Sequence, residues 1–417
     1  MITAAGSLLQ KVAHDGIGYS AVELSDVRHV FAAAVPLSGT TLEEQAKDAL
    51  KTIETVVDRE GIRASIVHQT VYVADPAFIQ PCRKLIHDFY GDDLPATNYL
   101  LQRPCNGKLL AIEAMGVGQG EKEVQIDRIS EHLVIASHND ISWVHCAQIV
   151  PQAHINGVYN RSTSAFAMMR GLLDQAGVRF DQIIRTWLYL GDIVGMEGPQ
   201  QRYKELNRAR TDFFAGTEFL ADRQPPRDPE RTEPRGEFHA YPASTGIGTE
   251  GDGITMSCVA LATDRTDILA VPLENPRQTA AYDYAASYSP KSPKFARAMA
   301  LSCGSHATIF ISGTASITHS ETRHVGDPAG QTHETLDNIE ALIGESNLAR
   351  HGLPGLGSTI PNLGLARVYI KRQEDYTRIR AACQERLGEV PTVYTIADVC
   401  RPDLLMEIEG IAFSRRA

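Results

Sequence analysis

Apolar residues recur at three- and four-residue spacing in three distant stretches: LEEQAKDALKTIETVVDREG (42–61), RSTSAFAMMRGLLDQAG (161–177) and ETLDNIEALIGESNLARHG (334–352). That period places them on one face of a helix, and the glycine ending each run suits a C-cap. A strand-like run follows each helix: TVYVAD (70–75), TWLYLGD (186–192) and RVYIKRQED (367–375), centred on Tyr72, Tyr189 and Tyr369. A second helical pattern comes next, at 75–91, 200–216 and 374–388. Each then gives way to a Pro-led segment closing on a strand: LPATNYLLQRPCNGKLLAIEAMG, YPASTGIGTEGDGITMSCVALA and VPTVYTIADVCRPDLLMEIEG. Strand pairs precede the first helices, as in DRISEHLVIASHNDISWVHCAQIV and FARAMALSCGSHATIFISGTAS.

The repeated order is β-β-α-β-α-β, three times over. One sheet with two helices on one face makes an α+β domain of roughly 120 residues. The expected units are 1–124, 125–265 and 266–417, with a charged, Pro-rich loop at 222–238 inserted in the second.

The last strand raises the chemical question. In DVCRPDLLMEIEG (398–410), Leu404, Met406, Ile408 and Gly410 fall on one strand face, and Leu405, Glu407 and Glu409 on the other. Two carboxyls two residues apart on one face repel. Each can raise the other's pKa if the face looks into a cleft, so the pair is expected to share a proton there. On an edge strand the same pair is a solvated charge pair. The first unit has only Glu113 at the matching strand, and the second has Ser257 and no acid.

Composition narrows the classes. The 417 residues are 43% hydrophobic and 22% charged, an ordinary globular mix. A net charge of −11 argues against a sequence-independent nucleic-acid binder. No apolar run reaches the roughly 18 residues of a membrane span, and the first residues lack a signal-peptide pattern. Seven scattered cysteines without a C-x-x-C pair fit reduced thiols in a cytoplasm. TGIGTEGDG (245–253) lacks a following Lys-Ser/Thr and precedes a strand, so it reads as a turn that can line a cleft. His319 and His324 lack metal-ligand spacing, and no metal or other cofactor is expected. Cys400 has no evident base in the sequence, which favours a pocket-shaping role over a nucleophilic one.

The unit order resembles the RidA/YjgF family, whose small domains form trimers with clefts between subunits. Three units in one chain would then make a monomer with pseudo-threefold symmetry. From about Asp127 onward the chain resembles the chorismatases more closely. The segments that carry this are RTWLYLGDI, YPASTGIGTEGDGITM, LENPRQTAAYDYAASYSPKSPKFARA, IFISGTASITHSETRHVGDPAGQTHETLDNI and DVCRPDLLMEIEG. The first unit departs from that family in being more complete.

The chorismatase resemblance implies removal of pyruvate from chorismate, begun by a proton delivered to the enolpyruvyl methylene carbon. Glu407 matches the family's general acid, seven residues after Cys400. Glu409 matches the glutamate of the RidA-type strand. Arg297 and Tyr284 match a substrate-binding arginine and an active-site tyrosine. Arg185 and Arg401 are further candidates for the substrate carboxylates, since arginine's planar fork suits them. Gln331 either contacts a polar substrate group or caps the following helix. Gly313 and Cys400 agree with the subtype that releases 3-hydroxybenzoate; the hydrolytic subtype, which makes a dihydroxy-cyclohexadienoate, has alanine at both. A RidA-type enamine or imine deaminase would place an arginine at Asn98, Ser244 or Val393, and none is there. A non-catalytic metabolite-binding protein would not need the paired acids.

Overall fold

The computed structural model describes residues 8–416 apart from 15–16, 63–64, 120–121, 225–239 and 286–290. Its first strands are β1 (Leu9–His14), β2 (Ile17–Leu24), β3 (Val27–Ala34), β4 (Ile66–Val73), β5 (Ala96–Leu101) and β6 (Leu110–Gln119). They form one sheet in the order β1-β2-β3-β6-β4-β5. The second sheet uses β7 (Gln125–Ser130), β8 (Leu133–His138), β9 (Ile141–Ile149), β10 (Ile183–Gly191), β11 (Ala243–Thr249) and β12 (Ile254–Ala262). The third uses β13 (Ile268–Leu273), β14 (Ala298–Cys303), β15 (His306–Thr314), β16 (Leu363–Ile370), β17 (Thr392–Ile396) and β18 (Met406–Arg415). All three sheets have the same strand order. The architecture is α+β, and the expected unit needs revision to six strands from four. Each Pro-led segment holds two strands, which the sequence pattern merged, and three strands rather than a pair precede each first helix.

In each sheet the fourth and fifth strands pair in parallel. A parallel pair needs a crossover, supplied by α2 (Ile79–Tyr90), α4 (Arg202–Phe214) and α7 (Tyr376–Leu387). The preceding helices are α1 (Leu42–Glu60), α3 (Val158–Gln175) and α5 (Pro328–Ile343). Thr41 and Glu44 cap the start of α1 reciprocally, and Gly61 ends it at φ 69°. The expected helix at 334–352 is two: Gly344 adopts an extended conformation and a short α6 (Glu345–Arg350) follows. The strand expected from Asp398 begins only at Met406, because Pro402 cannot donate to a ladder, and it runs on to Arg415. The loop expected at 222–238 lies, beyond Gln224, outside the described residues. Among the described residues no helix is long and apolar enough to cross a membrane.

Helices cover one face of each sheet, and the other faces meet in the interior. Tyr72, Tyr189 and Tyr369, at matching places in β4, β10 and β16, are fully buried there in one cluster with Phe31 and Phe413. The sheets close a ring. Ser20 donates to the Gly364 carbonyl between first and third. Gln148 accepts from the Tyr99 N–H (2.7 Å) and donates its own N–H to Asn98 (2.8 Å) between first and second. The Ser244 N–H reaches Ser312 Oγ (2.9 Å) between second and third.

Candidate active site

Strand β18 runs between β15 and β16. Its alternation sends Met406 and Ile408 into the apolar layer with Leu336 and Ile339 of α5. Glu407 and Glu409 therefore point to the opposite face, toward the interior, across from Tyr369 and Arg367 on β16. Both acids are at least 95% buried, so neither is a solvated edge charge.

The two carboxyls have opposite surroundings. Glu409 accepts from Arg185 Nη2 (2.6 Å), Arg367 Nη1 (2.7 Å), Trp187 Nε1 (2.9 Å) and the Tyr369 hydroxyl (3.1 Å), and also from Thr245. Burial alone would raise its pKa, but Arg367 and Arg185, with the Thr245 and Trp187 hydrogen bonds, outweigh it and hold Glu409 ionised. Arg367 also forks onto Glu113 from the first sheet. Among the described residues Glu407 joins none of these ion pairs. Burial, and after it the Glu409 charge, push its pKa up to about 8, against Arg297 and Arg185. The expectation of one proton shared by the pair is thereby corrected: Glu409 is locked as an anion, and Glu407 keeps a proton of its own at pH 7.

Glu407 lies where the β11 edge of the second sheet docks on the third. Thr245 Oγ1 accepts from the Gly313 N–H (2.9 Å), and Gly248 donates to the Asp398 carbonyl (2.8 Å). TGIGTEGDG is thus half strand and half turn. A Cβ at Gly248 would strike the Asp398 backbone, and one at Gly246 would press on the Tyr203 ring. A Cβ at Gly313 would overlap Glu407 Oε1. The room left by that glycine is taken by the acid itself rather than by a ligand ring.

Arg297 is buried, donates to the Tyr284 hydroxyl (2.7 Å) and the Thr279 carbonyl (2.9 Å), and has no partner for Nε among the described residues. Arg401 stacks over Tyr284 (5.4 Å) and donates to the Ser320 carbonyl. Cys400 is half-buried, and burial followed by the Glu407 charge push its thiol up to about 12, so it is no thiolate nucleophile.

Two candidates have partners within the protein. Arg185 gives Nη2 to Glu409 and Thr245 and lies over Trp187 (4.7 Å), while its buried Nη1 has no hydrogen-bond partner among the described residues. Gln331 has both polar atoms satisfied by backbone: it donates to the Asp403 (2.8 Å) and His324 carbonyls and accepts from the Leu405 N–H (2.8 Å). It pins the segment leading into β18 and neither caps α5 nor faces the cleft.

Two residues were missed. Arg210, on α4, is 1% exposed; it donates to Asn207 and Ser244 (3.3 Å), lies over the Phe295 ring (5.4 Å) and sits against Tyr203. Among the described residues it has no ion pair, and burial lowers its pKa. Arg297 lies against the same Phe295 ring (5.4 Å). Tyr203, two turns of α4 further back toward its start, sits within electrostatic reach of Cys400, Arg210 and Glu407. Glu407, Arg297 with Tyr284, and Arg210 with Tyr203 thus gather at one seam.

No family model matches the chain. A 3-hydroxybenzoate synthase of Streptomyces hygroscopicus is 35% identical over 299 residues, 68% of this chain and 79% of the relative. A chorismatase of Streptomyces rapamycinicus is 34% identical over 283 residues, 66% of this chain and 78% of that one. The chain belongs to the chorismatase family. A chorismatase crystal structure at 21% identity matches 94% of this chain and 100% of its own, with a TM-score of 0.65, so the fold is the chorismatase fold. The protein is accordingly an enzyme. That chorismatase fold takes in nearly the whole chain, including the first unit, whose Glu113 reaches the Arg367 network.

Proposed function

We propose that the chain removes pyruvate from chorismate and releases 3-hydroxybenzoate, with Glu407 as the proton donor. The observation that carries this is a buried carboxyl whose pKa is pushed up to about 8, with the buried Arg297 beside it and no ion pair of its own among the described residues. Chorismate is a dicarboxylate, and Arg297 and Arg210 suit its two carboxylates. Tyr284 and Tyr203 flank them. Glu407 gives its proton to the methylene carbon, making an oxocarbenium ion; the ring C–O bond then breaks and pyruvate leaves. The neighbouring ring hydroxyl closes on the vacated carbon, its proton returning to the Glu407 carboxylate, and the arene oxide aromatises. The sum of the two products is chorismate itself, so neither water nor a redox partner is consumed. The test is incubation of the purified protein with chorismate, assaying pyruvate and 3-hydroxybenzoate in equal amounts. A diene diol instead would keep Glu407 and replace the ring hydroxyl by water. The deaminase reading lacks support, since Ser244 stands at its arginine position and bonds Thr186 and Ser312. We also take the protein to act as one chain per particle, in a reducing cytoplasm; its seven cysteines are free.

Arg210→Ala and Arg297→Ala should each raise KM far more than they lower kcat. Truncating one side of a buried charge pair costs about 2–5 kcal/mol, or roughly 30-fold upward in affinity. A KM within threefold of the parent would remove that arginine from the substrate. Gly313→Ala with Cys400→Ala should slow pyruvate release on the order of 10²-fold, the cost of displacing an acid by about 1 Å. The new methyl must push the Glu407 carboxyl aside. Chromatography of the products should show more diene diol, and an unchanged rate with 3-hydroxybenzoate alone would refute the steric argument.

A further inference from the structure

Two sets of charges meet at the cleft. Arg185, Arg367, Glu113 and Glu409 form a closed network of two guanidiniums and two carboxyls. The second set is Arg210 and Arg297, and the acids beside it are Glu407 and one the reaction has not used, Glu274. Glu274 follows Leu273, whose ladder partner is Ala298, so it stands across from Arg297 and both leave the sheet on the same face. Both its carboxyl oxygens are buried, and among the described residues neither is hydrogen-bonded. The main-chain N–H of Arg297 faces them without reaching hydrogen-bond geometry.

Among the described residues few other groups act on Glu274. Asp283, in the turn at Ala281–Asp283, bears on it electrostatically. His351 Nε2 accepts the Glu274 backbone N–H (3.1 Å), while its Nδ1 meets the Asn347 carbonyl (2.8 Å), the arrangement of a neutral ring. Asn347 donates to the Glu274 carbonyl (3.0 Å). None of these offers the carboxylate a second cation, leaving Arg297. An ionised Glu274 would cancel the charge of Arg297; a neutral one would leave it for a ligand. A dianionic substrate and two guanidiniums balance only if Glu407 and Glu274 are both neutral, and an unbalanced buried charge is costly.

We propose that Glu274 is a positioning residue that must carry a proton when the substrate is bound, taking one up where it is ionised, so that Arg297 directs its whole charge to a substrate carboxylate. This rests on chorismate being the substrate. Burial already pushes the free Glu274 carboxyl up to about 8, against Arg297 and with a smaller push from Asp283. A substrate carboxylate beside it raises it further.

The pH dependence of kcat/KM tests this. The free enzyme must hold protons on both Glu407 and Glu274, so above pH 8 the parent should lose about a hundredfold per pH unit, ten for each proton. Glu274→Gln, which stays neutral, should lose only about tenfold; a hundredfold loss in that variant overturns the proposal. A second measurement uses Glu407→Gln, which removes the other titration. At pH 9, calorimetry of chorismate binding in buffers of differing ionisation enthalpy should show uptake approaching one proton, and none in Glu407→Gln/Glu274→Gln. Equal uptake in the two overturns the Glu274 role while leaving the substrate in place. If folded Glu407→Gln does not bind chorismate at all, the substrate assignment falls, and this inference with it. Should Glu274→Gln not fold, Glu274→Met gives the same neutral position for both measurements.

Discussion

Glu407→Gln will bind chorismate and leave it almost intact, with pyruvate release down roughly 10²–10⁴-fold, the usual contribution of a positioned general acid. The amide keeps the shape and burial of the side chain, so the fold and the two guanidiniums remain. It has no proton acidic enough for carbon, which is a poor base. Glu409 cannot stand in, because Arg185 and Arg367 hold it as an anion. The sign of the pH dependence follows from the same geometry. Glu407 acts in its protonated form, and its pKa is raised to about 8, so activity is full at neutral pH and falls as pH rises through 8. An ordinary glutamate would already be ionised above roughly pH 5. A coupled pyruvate assay gives the rate, and calorimetry gives the binding. Turnover within tenfold of the parent would move the acid role away from Glu407.

What the sequence disclosed and what it hid divide along range. The three helix–tyrosine-strand repeats follow from local periods of about 3.6 and 2, which survive in a single chain. The face carrying Glu407 and Glu409 was legible for the same reason, since alternation alone fixes it from Met406 onward. Pro402 was in plain sight and should have shortened that strand. Gly344 was equally visible, yet a lone glycine inside a helical pattern is often tolerated.

The charge partners were illegible because they are distant. Arg185, Arg367 and Glu113 come from three different sheets; Arg185 reaches Glu409, and Glu113 reaches Arg367, only after the ring closes. One signal was available: Arg367 lies two residues before Tyr369, on the same strand face, directly across from Glu409. Arg210 gave no signal. On α4 it reads as another charged residue among Arg202, Lys204, Glu205 and Arg208. Only the docking of that helix against Phe295 and Ser244 shows that its charge is buried without an acid. The same holds for Glu274, an ordinary residue at a strand end until Arg297 stands opposite it.

Arg367→Met will destabilise the protein by about 3–5 kcal/mol at pH 7.5, the cost of leaving a buried charge without its partner. Methionine keeps the length and apolar volume of the side chain, so little of this is cavity. Glu409 retains Arg185, but Glu113 loses the fork that holds it and keeps only the weaker, unbonded attraction of Arg185. Against a total stability of about 5–15 kcal/mol this is a large fraction, readable as a lower urea midpoint. The sign with pH is specific. In the variant the orphaned Glu113 has a folded pKa above its unfolded value of roughly 4.3, so the folded state binds the proton more tightly. The destabilisation is therefore complete above the raised folded pKa and shrinks as pH falls through it. Midpoints of parent and variant should draw together between pH 7.5 and pH 5.5. Adding Glu113→Leu removes the orphan and should restore most of the loss at pH 7.5, since a buried ion pair and an apolar pair of similar volume are of comparable stability. A loss below 1 kcal/mol, or one that does not change with pH, would show that water or backbone reaches Glu113 in place of Arg367. Because this arginine joins acids of the first and third sheets, and Glu409 passes the tie to Arg185 of the second, its removal should also loosen the coupling between the three sheets on unfolding.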